Sequence, residues 1–143
     1  MTLKEIQEEI IEEFAVFDEW MDKYEFLIEL GQSLPAIDVK FKNNEYLING
    51  CQSKVWLNAE LIDGKIQFTA DSDAIITKGI VALLVRVLSN RTPEEIMNSE
   101  LFFIENIGLT DNLSPTRSNG LVSMVKQMKL YGMAFNAKMN PSS

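Results

Sequence analysis

At 143 residues, 46% of them hydrophobic and 24% charged, the chain has the length and apolar content of one folded domain, expected to span 1–143, and not of a disordered segment. Its 21 acidic and 13 basic residues leave a net charge of −8, and the basic residues do not cluster, which argues against a nucleic-acid partner. The single cysteine excludes an internal disulfide, and the absence of histidine excludes any chemistry that needs an imidazole.

The chain opens with "TLKE", a capping box for a helix starting at residue 3. Residues 1–9 hold three glutamates and no apolar run, so no secretory signal is expected there. Leu3, Ile6, Ile10, Phe14, Phe17, Met21, Tyr24 and Ile28 then recur at helical spacing, predicting one helix bent or broken near residues 15–18. Gly31 is the expected stop and Pro35 the exit. The glutamates of this helix read as a solvated face or a docking surface.

The period then changes. Residues 39–41 and 45–48 are expected to be short strands around a turn at 42–44. Residues 55–62 and 65–70 flank Asp63-Gly64, a strong hairpin signal. Trp56, between two core positions, is expected in the sheet core, close enough in sequence to Cys51 to line its pocket.

Helices return after Ser72-Asp73. Residues 74–88 are apolar nearly all round, predicting a buried central helix in which Gly79 marks close packing. The longest apolar run, 79–85, is far too short to span a bilayer. "TPEE" from Thr92 supplies cap, proline and third-position glutamate for a short helix. Residues 101–107 form another, stopped by Gly108. A last helix starts near Ser114-Pro115, with Leu121, Met124, Met128, Tyr131 and Phe135 on one face and Met133 part of it, and the tail 136–143 is expected to fray. The sum is an α+β fold: a small antiparallel β-sheet covered by helices.

Cys51 is the chemical question. A free cysteine is often an inert core residue. Asn49-Gly50 and Gln52-Ser53 around it are turn residues, however, and place it on a loop, with Lys54 near enough to favour a thiolate. Acyl transfer by a cysteine needs a histidine base, dithiol exchange needs a second cysteine, and zinc or iron–sulfur ligation needs several ligands. One thiolate attacking sulfur survives this elimination, because sulfur is a soft electrophile with a good leaving group.

Three segments resemble the SufE/CsdE family of cysteine desulfuration proteins: "INGCQSKVWL" (48–57), "DSDAIITKGIVALLVRVLSNRTPEEI" (71–96) and "LSPTRSNGLVSMVKQMK" (113–129), within a similarity over 34–135. The resemblance implies a SufE-like fold. It implies that Cys51 accepts persulfide sulfur from a SufS/CsdA-like cysteine desulfurase, stimulates that enzyme and delivers sulfur to an iron–sulfur cluster scaffold. It also implies a transfer accessory without independent turnover. The missing secretory signal and spanning run lead to an expected cytoplasmic location with no membrane partner, and monomer and homodimer both stay open. No cofactor is implied in this chain, since pyridoxal phosphate belongs to the desulfurase. Asp73 matches an acidic residue that affects loop mobility in the family, and Arg117 matches an arginine close to the cysteine loop. Asp73 also reads as an ordinary helix cap, whereas a cation in the first turn of the last helix opposes the helix dipole and calls for an anion such as a thiolate nearby. The competing readings are a non-catalytic adaptor with Cys51 incidental, and a single-cysteine oxidant sensor.

Overall fold

A computed structural model describes residues 1–140. Helix α1 (Leu3–Ala15) starts at a complete capping box between Thr2 and Glu5. The chain then breaks, and α2 (Trp20–Gln32) begins anew. The break resets the apolar phase: Met21, placed on the stripe by its spacing, is exposed, while Leu27 and Gly31 are the buried residues of α2. Gly31 therefore does not stop the helix. It sits inside the last turn, and a Cβ there would lie 2.9 Å from Gly79 N on the crossing helix.

Residues 39–41 and 44–46 are 3₁₀ turns and not strands. Asp38 Oδ1 accepts from Lys40 N at 3.1 Å and Asn43 Oδ1 from Glu45 N at 2.9 Å. These local side-chain bonds take backbone donors that a ladder needs. The two expected strands do not pair with each other, and of their residues only Leu47 forms a bridge to the sheet, an isolated one with Trp56.

The sheet is the antiparallel pair β1 (Val55–Ile62) and β2 (Lys65–Ser72), in the register Val55 to Ser72. Asp63 and Gly64 both have positive φ, 52° and 80°, as a two-residue primed turn requires. Ile66, Phe68, Ala70 and Ser72 alternate inward along β2 and meet Val55 and Leu57 of β1. Helix α3 (Ile75–Leu88) lies on this face with Ile80, Val81, Leu83, Leu84, Val87 and Leu88 buried. Its other side takes α2. At the crossing a Cβ on Gly79 would collide with Leu27 O, so the helices meet backbone to backbone.

Helix α4 (Pro93–Met97) has the expected capping box between Thr92 and Glu95. Short helices α5 (Phe103–Asn106) and α6 (Leu109–Asn112) hinge at Gly108, whose φ is 83°. Helix α7 (Pro115–Met139) closes the molecule, capped by Ser114 Oγ accepting from Arg117 N at 3.3 Å. Leu121, Met124 and Met128 enter the core, whereas Met133 is exposed. The helix continues to Met139, and the expected frayed tail falls in part on residues 141–143, which lie outside the described residues. The architecture is α+β, a two-stranded antiparallel sheet covered by helices.

Candidate functional site

The loop carrying Cys51 is tethered at both ends. On one side Ile48 is buried and its N–H donates to Val55 O at 2.9 Å. On the other, Lys54 N donates to Asp73 Oδ1 at 2.9 Å, and Asp73 N donates to Lys54 O at 3.2 Å. Asp73 is thus not in the first turn of α3 and does not cap it. The N-cap is Ala74, and the Asp73 carboxylate latches the end of the cysteine loop.

Between the tethers, Gly50 adopts φ 93°, a left-handed conformation that glycine takes without steric cost. The turn presses the loop onto α7: a Cβ on Gly50 would strike Ser123 Oγ. Cys51 then lies against the next turn, its thiol donating to Gly120 O at 3.6 Å. Gly120 has no side chain between its backbone and the sulfur.

The thiol faces a cavity of about 270 Å³. Gln52 and Ser53 line it from the loop, Thr77 and Ile80 from α3, and Ser114, Thr116, Arg117, Gly120 and Met124 from α7. Cys51 and Arg117 therefore share one cavity. Asp73 stands outside its lining, on the tether. Trp56 is also outside it: the ring is half-buried on the opposite side of β1, with Lys42 Nζ 4.9 Å above it. Asp71, its cross-strand partner, holds Lys42 at 3.2 Å and Lys78 at 3.3 Å.

Burial pushes the Cys51 thiol up from its ordinary value, and no cation draws it down. Neither Lys54 nor Arg117 activates the resting thiol. Arg117 is exposed and makes no ion pair among the described residues, so its charge remains available to an anion entering the cavity. The resting site is a half-buried thiol whose burial disfavours the thiolate, on a cavity it shares with an exposed guanidinium and on a loop tied at its end by Asp73. Sequence reasoning missed Thr77, hidden in a run read only as apolar. It also missed the tethering role of Asp73, since nothing in the local pattern separates a helix cap from a bond to a strand end.

A family model described as SufE, Fe-S metabolism associated domain, matches residues 8–131. The chain belongs to the SufE family. An uncharacterised SufE-like protein of Rhizobium meliloti is 37% identical over 127 residues, covering 85% of this chain and 91% of its own. A second, from Rhizobium etli, is 39% identical over 127 residues, covering 85% and 86%. A SufE-like protein 1 of Arabidopsis thaliana, named chloroplastic/mitochondrial, is 38% identical over 132 residues, which are 92% of this chain but 36% of the plant protein. The solution structure of a hypothetical protein from Thermus thermophilus superposes with a TM-score of 0.74 at 18% identity, covering 90% of this chain and 94% of that one, and shares the SufE-like α+β fold. Membership gives the chain a role in Fe-S metabolism. Among the described residues no group of three or more Cys, Asp or Glu is placed to hold a metal, and no helix is long and apolar enough to cross a membrane.

Proposed function

We propose that the protein is a sulfur acceptor and carrier. Cys51 takes the terminal sulfur from the persulfide of a cysteine desulfurase and passes it to an iron–sulfur cluster scaffold. The observation that carries this reading is the lone thiol on a doubly tethered loop, facing a cavity with room for more than its own sulfur. The cavity is many times the share of one water, about 30 Å³, so one further sulfur atom fits beside Cys51.

In the transfer, the Cys51 thiol loses its proton to solvent and the thiolate attacks the outer sulfur of the desulfurase persulfide. A new S–S bond forms at Cys51 Sγ as the donor S–S bond breaks. The donor cysteine leaves as a thiolate and takes up a proton, so no external oxidant or reductant is needed. The suppressed ionisation of the resting thiol fits a carrier that is unreactive until its loop is released. Release at the Asp73 latch exposes the sulfur to water and to its partner, which lowers the cost of ionisation. Arg117 then supplies positive charge where a thiolate or persulfide anion forms. Pyridoxal phosphate acts in the desulfurase, where sulfur is first abstracted. The carrier clears the enzyme's persulfide and so raises its turnover, with no independent turnover of its own.

The test is stimulation of a cognate desulfurase. Wild type is expected to stimulate, and Cys51→Ser to bind without stimulating. Full stimulation by Cys51→Ser would instead make the protein an adaptor with an incidental thiol.

A further inference from the structure

Helix α3 has one buried hydroxyl where the rest of its inner surface is apolar. Thr77 is 7% exposed. In helices a threonine hydroxyl commonly bonds back to a carbonyl three or four residues earlier. Thr77 does not: its hydroxyl has no hydrogen-bond partner among the described residues. No fully enclosed side-chain polar atom among the described residues is orphaned, so this hydroxyl reaches open space, and the space Thr77 borders is the Cys51 cavity. Valine has the same shape but no donor, so a threonine here gives the cavity a hydroxyl that can reach a ligand.

The neighbours define that ligand. Thr77 and Ile80 of α3 line the cavity together with Cys51 and with Gly120 and Met124 of α7. In the resting thiol Sγ–H donates to Gly120 O, a donor that Sγ gives up on forming a persulfide. A persulfide adds a second sulfur about 2 Å beyond Sγ, and that atom carries the negative charge once it ionises. We propose that Thr77 is a positioning residue for the terminal sulfur of the Cys51 persulfide, its hydroxyl donating a hydrogen bond to the sulfur anion inside the cavity. The inference rests on the sulfur-acceptor reading. Ile80 and Met124 supply the apolar part of a lining that also holds Gln52, Ser53, Ser114, Thr116 and Arg117, and a hydrogen bond to an anionic sulfur is charge-assisted. The bond holds the sulfur in one orientation and favours its anionic form while the loop shelters it.

The experiment loads the full chain with sulfur in two ways: chemically, with inorganic polysulfide, and enzymatically, with a desulfurase and L-cysteine. Alkylation of the persulfide is followed against pH by intact mass spectrometry for wild type, Thr77→Val, Thr77→Ser and the smaller Thr77→Ala. Thr77→Val and Thr77→Ala are expected to move the persulfide profile up by about one pH unit, a tenfold slower reaction below the midpoint. Thr77→Ser is expected to overlay wild type, and the unloaded thiol profiles of all four to coincide. Coincident persulfide profiles for Thr77→Val and wild type would overturn the assignment. So would an equal shift in Thr77→Ser, which would trace the effect to shape and not to the hydroxyl. A wild type loaded by polysulfide but never by desulfurase would refute the proposed function while the Thr77 comparison still reads. A chain that takes sulfur from neither source would overturn both.

Discussion

Removing the Asp73 latch tests the link between loop opening and thiol reactivity. In Asp73→Ala the bond from Lys54 N to Oδ1, 2.9 Å long, is lost, while the backbone bond from Asp73 N to Lys54 O remains. The carboxylate is exposed, so the bond is at the ordinary net value of about 1 kcal/mol and not at the higher end for charged acceptors. That is about a fivefold change in an equilibrium constant, given tenfold per 1.4 kcal/mol. Cys51 at rest is half-buried and hydrogen-bonded to Gly120 O, so a bulky alkylating reagent reaches it through the opened loop. Its observed rate then scales with the opening equilibrium. Asp73→Ala is expected to alkylate about fivefold faster at neutral pH, with its stability in urea lowered by no more than the same ~1 kcal/mol. Asp73→Asn keeps an acceptor oxygen and is expected to fall between the two. A wild-type alkylation rate in Asp73→Ala, together with a clearly lower urea midpoint, would refute the latch and make the bond part of the fold's general stability.

Three further outcomes follow from the same geometry. Since burial alone displaces the resting thiol, its alkylation midpoint is expected above the usual thiol value of about 8.5; Arg117→Ala is expected to leave that resting profile in place, and a large upward shift would reveal a charge contact at rest and contradict this reading. Gly79→Ala places a methyl against Leu27 O and is expected to cost at least about 1–3 kcal/mol in urea unfolding, whereas a neutral result would contradict the backbone-to-backbone crossing. The hydrogen bonds from Arg86, at 2.9 and 2.5 Å, hold the Glu13 carboxyl below the usual range. A lowered folded-state value means that this stability is complete above the unfolded carboxyl value, about 4.3, and fades as pH falls through the folded one. Glu13→Gln is therefore expected to lower stability at pH 7 and to flatten its acid-side loss, and a parallel acid limb would contradict the pairing.

The parts of the fold written in local chemistry were legible. Asp63-Gly64 between β-type runs fixed the hairpin, and Thr2 with Glu5 and Thr92 with Glu95 marked helix starts, because each signal acts within four residues. Gly79 was readable as a packing site, since glycine inside an apolar helix has few other uses. The misreadings arose where short segments had two outcomes. Residues 39–41 and 45–48 have strand-like composition, but Asp38 and Asn43 immediately precede 3₁₀ turns and cap them. Both residues are ordinary capping types, and that signal was present in the sequence. Met21 and Gly31 were misplaced for a different reason: the break between α1 and α2 resets the helical phase, which a continuous spacing pattern conceals. At the site, Cys51 and Arg117 were identifiable by residue type and motif, and the structure sets them on one cavity. Thr77 was not, because its significance lies in a missing hydrogen bond and in the cavity between α3 and α7, neither of which is a local property.

The central claim is that Cys51 accepts sulfur. The direct measurement is intact-protein mass spectrometry after incubation with a cognate cysteine desulfurase, pyridoxal phosphate and L-cysteine. The account predicts a gain of about one sulfur mass on wild type, reversed by a thiol reductant and absent from Cys51→Ser. No added sulfur with an active cognate desulfurase would contradict the account and leave Cys51 a structural thiol.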